Sequence, residues 1–314
     1  MTQELSEDIL YDTIIVGGGP AGLTAGLYCA RAKLNTLLFE RGTLGGQIAI
    51  TDLVENYPGF PEGISGKELI GRFKEQAERF GLRVVRKEVS RLERVGKEIF
   101  LHLRTGELLR SKTVILTVGS NPRKLGVPGE EEFINRGVSY CATCDGALFD
   151  GVPIAVVGGG DSAAQESLFL TRFASRVYLV HRREQLRAQK HLQEKVFSNQ
   201  KITFVPNKVV EEIRGGDFVE GVLLRDTRDN SLSQLPVEGV FIFIGLEPNT
   251  VFLKGSLELD DKGYIITDER MRTSLEGVFA AGDCRRGATG QVAVAVGEGC
   301  IAAIEAERHI EERF

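Results

Sequence analysis

No stretch of this chain supplies the ~18 consecutive apolar residues that a membrane span needs. It has no basic block either. Its 39 Lys+Arg stand against 44 Asp+Glu, a net charge of −5, which argues against nucleic acid or an anionic membrane as partner. Cysteine is scarce: five, an odd number, spread too thinly for a secreted disulfide scaffold. The opening MTQELSEDIL is acidic and lacks signal-peptide character, so the cytoplasm is the expected compartment. Histidine is scarcer still, and His102, His181, His191 and His309 are isolated from one another. With a single CxxC, a four-ligand structural zinc site has no donor set, and no metal is expected.

What the chain has in excess is glycine: 37 in 314 residues, about 12% where about 7% is ordinary. No triplet repeat runs through it, and 42% of residues are hydrophobic, so neither collagen nor low-complexity disorder explains the surplus. The glycines cluster after apolar strands. Residues 11–16 (YDTIIV) read as a buried strand, followed by Gly17-Gly18-Gly19-Pro20-Ala21-Gly22, a helical pattern over 23–32 and a second strand at 36–40 (TLLFE). The same grammar returns at 152–157 (VPIAVV), Gly158-Gly159-Gly160-Asp161-Ser162-Ala163, a helix to about residue 173 and a strand at 176–180. Each unit also ends in an apolar strand closing on glycine, 113–119 and 240–245.

The expected fold class is therefore α/β, with two Rossmann-like dinucleotide-binding domains, the second inserted in the first. Proline at 122 and 248 marks the crossings. The first domain is expected over 1–121 and 248–314, with a strand at 277–281 and a terminal helix over about 291–307; the second spans 122–247.

In each turn the first glycine permits the bend, and the second lets backbone approach a pyrophosphate at the helix N-terminus. The third position allows helix and strand to pack closely. Gly17, Gly19, Pro20 and Ala21 are thus expected to hold one dinucleotide, and Gly160, Asp161, Ser162 and Ala163 another. Glu40, 23 residues after Gly17, stands where a carboxylate accepts ribose hydroxyls. The equivalent place in the second unit is His181, followed by Arg182, Arg183 and Arg187. Guanidinium there favours a 2′-phosphate, so NADPH is expected at the second site. A hydride donor in one site calls for an acceptor in the other, and FAD is the sensible occupant. Gly45-Gly46-Gln47 and Gly282-Asp283 stand at strand ends suited to reach its distal half, and a helix starting near Gln291 would point its positive end at the flavin.

Cys141-Ala-Thr-Cys144 is the one close cysteine pair. Beside a flavin and an NADP site it reads as a dithiol/disulfide that receives electrons. Asp145 is the adjacent acid/base candidate, although Asp before Gly146 is also a common turn residue. Cys29 and Cys300 lie within helices and are expected to pack as small hydrophobes; Cys284 either packs or approaches the flavin.

These motifs resemble the low-molecular-weight thioredoxin reductases over essentially the whole chain. The resemblance rests on GGGPAG (17–22), GGQ (45–47), VENYPGFP (54–61), CATCDG (141–146), GGGDSA (158–163), HRREQLRA (181–188), IGLEPNT (244–250) and GVFAAGD (277–283). It implies a homodimer with one FAD per subunit, electrons passing from NADPH to FAD, to the Cys141–Cys144 disulfide and on to thioredoxin. It further implies that Cys144 faces the flavin, that Cys141 attacks the substrate and that Asp145 handles the proton. Glu40, Gly46, Gln47, Asn56, Gly282, Asp283, Gln291 and Val292 carry over as FAD contacts; His181, Arg182, Arg183 and Arg187 carry over to the NADPH side. Two departures stand out: Gly290 replaces an arginine usual in the family, and Ala147-Leu148 replace a pair of aromatics. They keep open a relay with another donor (ferredoxin or a second flavin) or another protein-disulfide acceptor. A non-catalytic redox-sensing flavoprotein is the remaining alternative.

Overall fold

A computed structural model describes residues 7–51 and 53–314; residues 1–6 of the acidic opening stretch lie outside the described residues. The chain divides into two compact units, Met1–Asn121 with Glu247–Phe314, and Pro122–Leu246.

The first unit is built on the Leu10–Val16 strand. It pairs in parallel with Thr36–Phe39 on one side and Leu108–Leu116 on the other, and Arg83–Val85 extends the sheet beyond Thr36–Phe39. Leu108–Leu116 is shared. Its beginning pairs antiparallel with Glu98–Leu103, which pairs with Val89–Val95; its end pairs in parallel with Val278–Ala280. The strand residues alternate between two cores, as the period of two requires. Ile14, Val16, Leu37, Phe39, Val114 and Leu116 enter one, while Ile15, Leu38, Ile115 and Phe279 face the other. The second core is covered by the helices Pro20–Arg31 and Val292–Arg313, joined through small residues. At Gly299 an added Cβ would stand 2.2 Å from the Ala21 carbonyl oxygen, so this helix crossing is set by glycine.

The second unit repeats the plan. Ile202–Val205, Arg176–Val180, Pro153–Gly158, Gly239–Phe243 and Val138–Ser139 form a parallel five-stranded sheet in that order. A separate antiparallel sheet of Lys208–Gly215, Val219–Asp226 and Leu232–Leu235 stands where the first unit has its hairpin.

Three helix ends differ from the sequence expectation. The first helix begins at Pro20, because proline is pre-organised for the first helical position and forfeits no bond there. The helix after the second glycine turn stops at Leu170 rather than near 173. The terminal helix starts at Val292 and continues past residue 307 to Arg313; Arg308 pairs with Glu305 one turn back. Among the described residues no helix is long and apolar enough to cross a membrane.

Candidate functional site

The first glycine turn is forced by contacts on both sides. Gly17 has φ +109°, and a Cβ there would lie 2.3 Å from Thr117 O; a Cβ at Gly22 would lie 1.9 Å from Gly17 O. Gly19 has nothing within 4 Å of its Cβ position, which leaves open space over the start of the Pro20–Arg31 helix. That helix has no side-chain cap, so its first amides are available to an anion. Glu40 locks the turn: Oε2 accepts from the Gly18 amide at 2.7 Å and Oε1 from the Gly42 amide at 2.7 Å. Each oxygen retains a lone pair for a ribose hydroxyl. The Gly45 amide donates to Gly18 O at 2.8 Å, which joins the Gly45-Gly46-Gln47 segment to the same turn.

Other expected residues of this unit fall into two groups. Asn56 Nδ2 donates to Gln291 Oε1 at 3.1 Å, bringing together two residues 235 apart at the start of the helix that Val292 opens. Gln47 instead donates to Asn121 Oδ1 at 2.9 Å, and Asn121 donates to Asn249 at 3.1 Å. Asp283 follows the left-handed Gly282, and burial, reinforced by the Glu298 carboxylate, pushes its carboxyl pKa up. Sequence reasoning missed the residues that hold this turn. Buried Glu298 accepts from the Gly282 amide at 2.7 Å and pairs with Arg285, whose Nη1 donates to Thr267 at 3.0 Å. An acid in a glycine- and alanine-rich stretch is the one trace Glu298 leaves in the sequence; the amide it reaches is set by the fold. Gly290 has φ +70°, a conformation that glycine adopts without strain. Cys284 is fully buried with its thiol pushed up to about 12 by burial, and its Sγ donates to Ala281 O and Leu116 O.

The second turn follows the same rules with one exchange. A Cβ at Gly158 would meet the Ala163 Cβ at 2.6 Å, so glycine at 158 is what makes room for alanine at 163. Gly160 is open, and the Asp161–Leu170 helix has no side-chain cap. At Gly159 a Cβ would stand 2.2 Å from the His181 ring, which is buried against this turn. Burial and the neighbouring arginines hold that imidazole below the usual histidine range. The Arg187 amide donates to Gly159 O at 2.7 Å, and Gln189 donates to both Asp161 oxygens. Asp161 thereby fixes the loop that carries Arg182, Arg183 and Arg187. All three guanidinium side chains are exposed, and among the described residues no carboxylate pairs with them. Ser162 is exposed in the helix's first turn.

These two turns fit dinucleotides: open space over glycine, uncapped helix amides, and a ribose-seeking carboxylate in one unit against free guanidinium in the other. No group of three His, Cys, Asp or Glu suited to a metal occurs among the described residues.

Cys141 and Cys144 are joined as a disulfide. Cys141 sits at the N-cap of the short Ala142–Asp145 helix, and the Cys144 amide donates to Cys141 Sγ at 3.2 Å. Asp145 closes that helix and accepts from Ser139 at 2.6 Å. The Ala147-Leu148 departure lies on the surface, with Leu148 67% exposed.

The family model for pyridine nucleotide-disulphide oxidoreductases matches residues 11–299. Thioredoxin reductase of Peptoclostridium litorale is 46% identical over 311 residues, covering 97% of this chain and 98% of its own. That of Bacillus subtilis (strain 168) is 46% identical over 309 residues, covering 98% and 97%. The crystal structure of thioredoxin reductase from Streptococcus pyogenes MGAS5005 superimposes with a TM-score of 0.93 at 44% identity, covering 98% of this chain and 100% of that one.

Proposed function

The chain belongs to the pyridine nucleotide-disulphide oxidoreductase family, and from that premise we propose that it is an NADPH-dependent thioredoxin reductase. The observation that carries this is the bonded Cys141–Cys144 pair in the same unit as the second glycine turn. The full-length similarity to proteins named thioredoxin reductases supports it.

FAD, when bound, passes the two electrons of a nicotinamide hydride to a disulfide. Gly17, Gly19, Pro20 and Ala21 would hold its pyrophosphate and Glu40 its ribose; Gly46, Gln47, Asn56, Gly282, Asp283, Gln291 and Val292 would hold the rest. In the other unit Gly160, Asp161, Ser162 and Ala163 receive the NADPH pyrophosphate. Arg182, Arg183 and Arg187 grip the 2′-phosphate from the loop packed on His181, and each charge-assisted bond contributes about 1.5–3 kcal/mol.

Cys144 would be the cysteine reduced by the flavin, and Cys141 the one that attacks the disulfide of thioredoxin. The Cys144 amide stabilises the Cys141 thiolate, the reactive form. Asp145 holds and returns the proton. The working form is a homodimer in the cytoplasm.

Rapid mixing with NADPH or NADH, followed at the flavin absorbance band, tests the donor. NADPH bleaches the band rapidly and NADH far more slowly. Equal rates with the two would refute the arginine assignment.

A further inference from the structure

Ser139 has no part in the chemistry above, yet its hydroxyl lies at the centre of the CxxC loop. Oγ donates to Asp145 Oδ2 at 2.6 Å and accepts from the Cys141 amide at 3.1 Å; Cys141 O is 3.3 Å away. The hydroxyl has one proton, and the short contact to the carboxyl takes it. Ser139 itself is fixed. It is 5% exposed and lies in the Val138–Ser139 strand, paired opposite Phe241. The next residue is fixed too: Tyr140 donates to Glu130 Oε1 at 2.8 Å, while Glu130 also accepts from the Leu125 and Gly126 amides. A serine locked to the sheet edge therefore grips both the first cysteine's backbone and the acid that follows the second.

We propose that Ser139 is a positioning residue that aims Asp145 at the sulfur leaving the substrate disulfide. This rests on the dithiol function proposed above. Ser139 donates to Oδ2, so the proton that Asp145 relays is carried on Oδ1. In the reduced protein the Cys141 thiolate attacks one substrate sulfur. The substrate S–S bond breaks, and the departing sulfur takes the bonding electron pair and the proton from Oδ1. Cys144 then gives its thiol proton to Asp145 and attacks Cys141. The Cys141–Cys144 disulfide forms, the second substrate sulfur leaves as a thiolate, and solvent protonates it. Two electrons have moved from the dithiol to the substrate, and Asp145 is restored.

The test uses leaving groups that need a proton to different degrees. The holoprotein is reduced with dithiothreitol, desalted, and mixed in a stopped-flow cell with either bis(2-hydroxyethyl) disulfide or 5,5′-dithiobis(2-nitrobenzoate). The alkyl thiolate is basic and needs the proton; the nitrobenzoate thiolate leaves without one. Ser139→Ala slows the alkyl disulfide about tenfold or more and the aromatic disulfide less than about twofold. Asp145→Asn shows the same pattern, and the double variant is no slower than Asp145→Asn alone. Equal slowing of both disulfides by Ser139→Ala, or none of either, would overturn the proposal; so would multiplying effects in the double variant. Dithiothreitol supplies the electrons, so the result does not depend on the physiological donor. Failure of the proposed function shows differently, as a wild-type protein that NADPH cannot reduce.

Discussion

Glycines of one turn differ in what they protect. Gly159 faces the His181 ring at 2.2 Å from its missing Cβ, whereas Gly160, with nothing within 4 Å, faces open space. Gly159→Ala must displace the ring and costs about 1–3 kcal/mol of stability. Gly160→Ala, at an extended backbone, leaves thermal stability within about 0.5 kcal/mol. It nonetheless weakens NADP+ binding, because its methyl occupies the approach of the pyrophosphate. Thermal melts paired with titration calorimetry separate the two effects, and a Gly160→Ala variant that binds normally would contradict the phosphate-turn assignment. The cysteines sort in the same way. Cys29 and Cys284 are buried with thiols pushed up to about 12, so at pH 8 almost no thiolate exists at either. In the native, oxidised protein, mass spectrometry after iodoacetamide treatment should find both unmodified. His181, held below the usual histidine range by burial and three arginines, should titrate below an exposed histidine when followed by NMR. Its folded pKa is depressed, so it contributes stability above pH 6.5 that is lost as pH falls through the folded value. Part of this was legible in the sequence: residue type and spacing pointed to the glycine turns, Glu40 and the CxxC. Ser139 and Glu298 were not, because their importance lies in which amide or carboxyl they reach, and that is decided by tertiary contacts.

At the scale of elements, strand–glycine–helix units could be read directly because a β-branched run followed by glycine leaves the backbone few other options. Helix ends were harder. Residues 308–313 are mostly charged and exposed, without the apolar stripe that marks a helix in sequence, and the helix continues through ion pairs such as Arg308–Glu305. The 181–189 loop combines both lessons. Its arginines were visible in the sequence, but the bonds that fix it to the glycine turn, Arg187 N–H to Gly159 O and Gln189 to Asp161, were not. Arg182→Ala with Arg183→Ala should therefore raise the Kd for NADP+ by about 2 kcal/mol or more, roughly 30-fold, with NAD+ affected little. An equal loss for the two nucleotides would mean that the arginines act on something other than the 2′-phosphate.

At the scale of the molecule, the two units are copies of one design with a different source for the outer strand. In the first unit it is Val278–Ala280, which arrives after the whole second unit has been made; in the second it is Val138–Ser139, which precedes the glycine turn. The duplication was legible because glycine turns repeat in matched context. The short Val138–Ser139 strand was not, since two residues carry no periodicity and pair only because Gly239–Phe243 offers an edge. That strand ends immediately before the Tyr140-Cys141 segment, so the repeat's outer strand delivers the redox pair. The central claim, electron flow from NADPH through Cys141–Cys144 to thioredoxin, is tested most directly by following NADPH oxidation with oxidised thioredoxin. Wild type turns over continuously, whereas Cys144→Ser keeps its FAD, accepts electrons from NADPH and reduces no thioredoxin. Full turnover by Cys144→Ser would contradict the relay.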